Sequence, residues 1–407
     1  LSGTPKAGSV GDKRHWLRIT GACNNGCLFC LDSGFRPRAP LELEGLLREL
    51  EGARAAGAQR IILSGGEPTT HPHYLDLVEA ARGLGFPWIQ TITNGRMFAY
   101  RPFAARALAA GLSEVTISLH GDSAELHDRL TAVPGAFAQA LAGLKNLLGR
   151  CVVSVDIVLA RPVVERLPQV LRFYHGLGVR EFDLLFPVPF GRAWEHRDLL
   201  FWRPEEFLPT LHEAFELGAE LGLTLWTNRF PAPALEGYEH LIQDPHKLLD
   251  EVRGRQEELQ ALLDQGRPLR CHGPRCDWCH LKSFCAFLEG LSPLPNPPPT
   301  GEGADPLSPL PNPPPTGEGA DPSAPTDSPL PKGEGGPKGR EGVREGVREG
   351  AREGARPSLE SLAHRYIQHL WHERGRCCQG CRWVTTCPGL PIEEVRRRGF
   401  RCGRRED

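Results

Sequence analysis

Three thiols, Cys23, Cys27 and Cys30, stand in one short loop, Cys23-Asn24-Asn25-Gly26-Cys27-Leu28-Phe29-Cys30, at the spacing C-x3-C-x2-C. Thiolates are soft ligands that suit iron-sulfur clusters and zinc, yet a cubane cluster and a closed structural zinc each take four protein ligands. Three thiols on a cubane leave one iron open for another ligand. A second chemical motif, Gly65-Gly66-Glu67-Pro68, directly follows the short apolar run Arg60-Ile61-Ile62-Leu63-Ser64. Paired glycines let a backbone approach a ligand closely, and the Glu67 carboxylate can accept from an ammonium group. The bland alternatives are a zinc knuckle for the cysteines and a plain turn for the glycines.

With these motifs in this order the chain resembles the radical S-adenosylmethionine (radical SAM) superfamily, over about half its length. The resemblance implies that Cys23, Cys27 and Cys30 hold a [4Fe-4S] cluster whose fourth iron chelates the amino and carboxylate groups of SAM. It implies that Gly65, Gly66 and Glu67 hold the methionyl amine, that the Phe29 backbone meets the adenine, and that Asn94 lies near SAM. It places Ser118 and His120 at the mouth of the fold; polar residues at these positions can equally cap strand ends.

The elements that must position these groups alternate. A strand His15–Thr20 feeds the cysteine loop, and a helix from about Leu41 carries Leu43, Leu46, Leu47 and Leu50 on one face. Then come the strand ending at Ser64, a helix near Tyr74–Leu84, strand Trp88–Thr93, a helix near Arg101–Ala110 and strand Glu114–His120. A helix near Ala136–Leu148, strand Val152–Leu159, helix Val163–Leu177 and strand Glu181–Phe186 complete six β/α units. Such alternation implies an α/β fold with a parallel sheet and right-handed crossovers. Periodicity leaves open whether the sheet is doubly wound or a partial barrel; the family resemblance implies a (β/α)6 partial, TIM-like barrel over 15–229. Each polar or glycine-containing motif follows the carboxyl end of a strand, where parallel α/β folds bind ligands.

Strand six runs into Phe186-Pro187-Val188-Pro189-Phe190-Gly191-Arg192-Ala193. This resembles the Pro-x-Gly-Arg-Ala segment of radical SAM enzymes that carry a C-terminal SPASM or twitch extension. Residues 204 to 264 read as mostly helical, with 230–270 connecting the barrel to a cysteine-rich end; Leu248, Leu249, Val252, Leu259, Leu262 and Leu263 are its expected apolar contacts. Two cysteine sets follow, Cys271, Cys276, Cys279 and Cys285 in 271–291, and Cys378, Cys381, Cys387 and Cys402 in 357–407. Both contain C-x2-C-x5-C, and four thiolates close a cubane. They look like two auxiliary [4Fe-4S] clusters of a small C-terminal SPASM-like domain. The usual pattern has a further cysteine where this chain has Glu289 and Pro391, so the partition of ligands stays open. One or two four-cysteine zinc sites, with His272 or His280 as substitutes, are the alternative. Cys151 reads as a packed core thiol and Cys377 as a spare or alternate ligand.

Between the two sets, Ser292–Arg356 contains Ser-Pro-Leu-Pro-Asn-Pro-Pro-Pro-Thr-Gly-Glu-Gly-Ala-Asp-Pro twice, then an Arg-Glu-Gly-Val/Ala repeat. Proline and glycine at this density bury no core, and the expectation is a disordered insert. Order resumes at Ser358, an N-cap before the apolar face Leu359, Leu362, Tyr366, Ile367 and Leu370. The arginines from Arg396 to Arg405 are offset by nearby acids and read as a solvated end.

A net charge of −2 points to neither nucleic acid nor membrane, and no apolar run reaches membrane-helix length. Of the thirteen cysteines all but Cys151 sit in clusters at ligand spacing, which suggests a reducing, cytoplasmic compartment rather than a disulfide framework. The first residue is Leu, so further residues upstream are expected. About fourteen residues precede the first strand, which leaves any leader-peptide recognition to another protein or to the barrel face. The resemblance implies a reductant partner such as flavodoxin or ferredoxin, and a maturase acting on a peptide or protein side chain. Small-molecule or cofactor biosynthesis is the second expectation, and a non-catalytic iron-sulfur or zinc scaffold the rival of another class.

Overall fold

The computed structural model describes residues 14–31, 33, 40–267, 269, 273–291, 357–374, 378 and 387–400. Two units divide the chain, Leu1–Pro293 with Leu359–Asp407, and Leu294–Ser358. Nearly all of the second unit, and with it the expected insert Ser292–Arg356, lies outside the described residues.

In the first unit the strands are β1 (Arg14–Thr20), β2 (Arg60–Gly65), β3 (Trp88–Thr93), β4 (Glu114–Ser118), β5 (Val152–Val158), β6 (Glu181–Leu185) and β7 (Thr224–Asn228). Between them run α1 (Leu43–Ala55), α2 (Tyr74–Gly83), α3 (Arg101–Ala110), α4 (Ala124–Thr131) and α5 (Ala136–Leu147). The series continues through α6 (Arg161–Val164), α7 (Leu167–Leu177), the short α8 (Arg192–Glu195) and α9 (Arg197–Leu200), and α10 (Pro204–Glu220). All neighbouring strands pair in parallel, in the order β1 to β7. A doubly wound sheet reverses its strand order at a switch point; this one never does, so the winding is that of a partial barrel with β1 and β7 as its edges.

Two-residue periodicity sorts each strand into two faces. Leu17, Ile19, Ile61, Leu63, Val115, Ile117, Val155, Ile157, Phe182 and Leu184 are fully enclosed in the main core, against helical residues such as Leu50, Leu77, Ala107, Leu144 and Leu171. The alternate residues, on the concave side, include a polar set. Gln90 Nε2 donates to Thr116 Oγ1 at 2.9 Å, and Thr116 Oγ1 meets Ser154 Oγ at 2.9 Å. Below them Arg60 pairs with Glu114 at 2.8 Å.

Two elements differ from the expectation. A seventh strand, β7, lies within the stretch read as helical, and α4 fills a span left unassigned. Thr224-Leu225-Trp226-Thr227-Asn228 is short and follows a long leucine-bearing helix, whose 3.6-residue pattern masks it. Helix α4 is brief and polar, started by Ser123, whose hydroxyl accepts from Leu126 N at 3.3 Å. The expected helix Val163–Leu177 is two pieces, α6 and α7.

Past β7, helices α11 (Leu248–Gly254), α12 (Gln256–Gln265), α13 (Lys282–Leu291) and α14 (Leu359–His369) build a second core. Leu249, Val252, Leu259, Leu262, Phe284, Leu288, Leu362 and Tyr366 close it, with Phe284 and Tyr366 ring centroids 5.2 Å apart. Helices from both sides of the insert thus share one apolar interior. A last helix, α15 (Ile392–Arg398), returns to the main core through Ile392 and Val395, and Arg396 Nε donates to Ile242 O at 3.0 Å. No helix among the described residues is long and apolar enough to cross a membrane.

Candidate active site

The cysteine loop leaves β1 and is tied down by backbone and by two arginines. Gly26 N donates to Thr131 O and Leu28 N to Leu130 O, both at 2.9 Å, so the end of α4 props the loop. Arg96, just after β3, reaches across to Asn25 Oδ1 at 2.9 Å and to Asn24 O, while its Nε donates to Gln139 Oε1 at 2.7 Å. From the opposite side Arg192 Nη1 donates to Gly26 O, and Arg192 N to Ser33 Oγ at 2.8 Å and Cys30 O at 3.1 Å. Gly191 (φ 55°) lies so close to Cys30 O and Leu31 O that a Cβ there would clash with both. The Pro-x-Gly-Arg-Ala segment is therefore a latch on the cysteine loop.

The Gly65–Glu67 turn presses on the same loop from β2. Gly66 N donates to Thr20 O and Glu67 N to Ala22 O, each at 2.7 Å. A Cβ on Gly65 would strike Thr20 O, and one on Gly66 would strike Ala22 O. The glycines thus serve a close approach within the protein itself, between this turn and the start of the cysteine loop.

Glu67 is fully buried. Its Oε1 accepts from Thr69 N at 3.0 Å, from Thr69 Oγ1, and from Thr93 Oγ1 at 2.6 Å; Oε2 accepts from Asn94 N at 2.7 Å. The carboxylate staples the turns after β2 and β3, and Oε2 keeps acceptor capacity for a further donor. Burial raises its pKa, and the four donors oppose that rise.

Asn94 bridges onward, its Nδ2 donating to Asn24 Oδ1 at 2.6 Å and its Oδ1 accepting from Arg96 N at 3.1 Å. Ser118, ending β4 on the concave face, has no side-chain hydrogen bond among the described residues. His120 is buried with its ring 4.5 Å from that of Phe29, and its Nδ1 accepts from Val158 N at 3.1 Å. The ring proton is thereby held on Nε2, and burial beside His127 keeps the imidazole neutral.

Burial lifts the pKa of Cys23 and Cys27 above the usual thiol range, with Cys30 adding to the rise at both and Cys23 to that at Cys27. Asn25 N donates to Cys23 Sγ at 3.4 Å. Among the described residues no three His, Cys, Asp or Glu side chains converge to hold a single metal ion. A cubane differs in that its thiolates bind separate irons at separate corners. Three soft donors gathered in a latched loop, one of them already receiving an amide N–H, fit that group.

The C-terminal thiols are only partly visible. Cys276 lies in a 3-10 turn (Pro274–Trp278), Cys279 caps it and Cys285 stands in the first turn of α13; Cys378 and Cys387 are also described. Cys271, Cys377, Cys381, Cys402 and His272 lie outside the described residues. His280, kept as a zinc substitute, has both ring nitrogens enclosed and neither hydrogen-bonded among the described residues, and desolvation depresses its pKa to about 4. The turn leans on the barrel. Arg203 lies 3.9 Å from the Trp278 ring centroid, and Arg275 5.4 Å from that of Trp194, two residues past Arg192.

Sequence reasoning did not single out Arg96, although it directly follows the Thr93-Asn94-Gly95 turn, and quoted Arg192 only within a motif. A cation beside the terminus of a ligand-bearing strand was the available signal.

A parallel α/β partial barrel with three thiols at its carboxyl end presents them where such folds bind ligands. Residues 17–173 match the Radical SAM superfamily. The chain is 32% identical over 190 residues to a probable GTP 3',8-cyclase of Saccharolobus solfataricus, covering 45% of this chain and 61% of that protein. It is 25% identical over 210 residues to the AdoMet-dependent heme synthase of Methanosarcina barkeri, covering 51% and 59%. The chain thus spans about three fifths of the curated relatives it matches. Among solved structures, Streptococcus suis SuiB bound to precursor peptide SuiA aligns with a TM-score of 0.46 at 15% identity, over 56% of this chain and 51% of that one.

Proposed function

We propose that the chain is a radical SAM enzyme whose substrate is a peptide or protein side chain. The observation that carries the chemistry is the latched triad Cys23, Cys27 and Cys30 against the Gly65–Glu67 turn at the carboxyl end of the barrel. When bound there, the [4Fe-4S] cluster supplies the electron that splits SAM into methionine and a 5'-deoxyadenosyl radical, which abstracts a substrate hydrogen. The three thiols hold the cluster, and Arg96 and Arg192 keep their loop in place. Gly65, Gly66 and the spare acceptor of Glu67 Oε2 take the methionyl ammonium; Phe29 and Ser118 line the SAM site, and Asn94 orders the loop beside it. Enclosure by the barrel excludes water from the radical.

The maturase reading rests on the two C-x2-C-x5-C sets and on the Pro-x-Gly-Arg-Ala latch, which together resemble SPASM enzymes. Two auxiliary [4Fe-4S] clusters would pass electrons or position substrate, and a flavodoxin or ferredoxin in the cytoplasm would supply the reducing electron. A second reading, small-molecule or cofactor biosynthesis, is favoured by the names of the relatives, a GTP cyclase and a heme synthase.

The test is cleavage of SAM by anaerobically reconstituted, reduced protein, followed by release of 5'-deoxyadenosine. Wild type should form it and Cys27→Ala should not; equal release by both would refute the assignment and leave a scaffold.

A further inference from the structure

The concave face of the barrel carries two carboxylates that the SAM site does not use. Asp156 on β5 and Asp183 on β6 are in-register partners, and both lie on the polar side of their strands, as Ser154 does. Neighbouring strands are about 4.8 Å apart, so the two side chains leave the sheet side by side. Asp156 is 9% exposed, and its side chain makes no hydrogen bond or ion pair among the described residues. Asp183 accepts from Asn228, but its Oδ1 is enclosed without a partner. An enclosed acceptor left without a donor keeps its full desolvation cost, and a charged one costs more.

The charges that share this face do not discharge the pair. Glu114 is held by Arg60 at 2.8 Å, and Glu181 accepts from Trp226 Nε1 at 2.9 Å. Arg229 is taken by Glu251 at 2.6 Å. Lys247 attracts both aspartates electrostatically, yet forms no ion pair with either among the described residues. Two carboxylates against one remaining ammonium leave an excess of negative charge in an enclosed place. Trp226, in register with Asp183, is 40% exposed, and its indole is held by Glu181. Carboxylate acceptors beside an open aromatic ring are complementary to an organic cation.

We propose that Asp156 and Asp183, with Trp226 beside them, form a substrate subsite that takes a cationic group, a primary ammonium or a guanidinium such as a lysine or arginine side chain carries. The proposal rests on the radical SAM reading of the site above and names the substrate class that reading left open. Burial raises both acids' pKa, and the charge of Asp183 adds to the rise at Asp156, a cost that an incoming cation would offset.

The probes are butylammonium and butylguanidinium, with butyrate as the control, binding measured by saturation-transfer NMR and calorimetry on the whole reconstituted protein. Both cations should bind and butyrate should not, and Asp156→Asn or Asp183→Asn should weaken cation binding about tenfold or more. The substitutions are isosteric and remove repulsion, so a melting scan shows whether each variant is folded when assayed. Equal cation binding by wild type and variants, or none by wild type, overturns the proposal. Loss of SAM binding in the variants with cation binding intact assigns the pair to SAM and also overturns it. Cation binding needs no SAM cleavage, so failure of wild type to release 5'-deoxyadenosine would instead strike the radical SAM reading.

Discussion

Cys23, Cys27 and Cys30 share a loop whose backbone is tied to α4, to the β2 turn and to two arginines, so polar bonds from four directions hold it. Cys276, Cys279 and Cys285 stand instead on a turn and helix held by the apolar contacts of Phe284, Leu288 and Tyr366 and by the Arg203 guanidinium over the Trp278 ring. The first region fixes a ligand set locally and leaves it incomplete. The second joins helices from both sides of the insert by burying hydrophobic surface. On the function proposed above, directional bonds suit a loop that would keep one iron accessible to an exchangeable ligand, whereas an apolar core would suit a closed site.

Breaking the polar side of this contrast should have the larger effect. Arg192→Met removes the donor to Gly26 O while keeping the length of the side chain, and iron at the first site should be lost to a chelator about tenfold faster. Arg192→Lys, which keeps the charge, should recover part of the loss. Unchanged iron retention in Arg192→Met would show that the latch is dispensable.

A smaller effect is expected on the concave face. The folded-state pKa of Asp183 is raised by burial, with Glu181 adding to the rise and Lys247, Arg229 and Asn228 opposing it, and Asp156 is raised with it. Stability from the protonated form is present below the unfolded carboxylate range, about 4, and is lost as pH rises through the folded pKa. Asp183→Asn should therefore raise Tm by about 3 °C near neutrality, and the gain should vanish toward about pH 4. A Tm that falls at neutral pH would show that the charge stabilises the fold.

Six strands were legible to within a residue or two because Leu17, Ile19, Val115 and Ile117 alternate with polar residues and Ile61–Leu63 form an apolar run bounded by Arg60 and Ser64. The thiol triad and the Gly65–Glu67 turn were legible because their spacing is local. Arg192 and Gly26 are 166 residues apart in sequence, and only the closing of the sheet brings them together. Asp156 and Asp183 escaped notice for a related reason: a polar residue in an amphipathic strand reads as a solvent face until the curvature of the sheet encloses it. Strand β7 was hidden by its brevity beside a long helix.

The smallest change should come from shortening the insert. Helix α13 ends at Leu291 and α14 begins at Leu359, and the two pack in one core, so a short linker can replace Ser292–Arg356 at little cost. Iron loading and SAM cleavage should survive this deletion; loss of iron bound by the C-terminal thiols would make the segment structural.

The contrast between an open and a closed thiol set is tested most directly by electron paramagnetic resonance on reduced protein lacking Cys23, Cys27 and Cys30 together. Fully loaded wild type should hold about twelve irons and show a signal that SAM perturbs. The triple variant should keep about eight irons with a cluster signal indifferent to SAM. A SAM-perturbed signal in the triple variant, or about two zincs with no iron, would contradict the account.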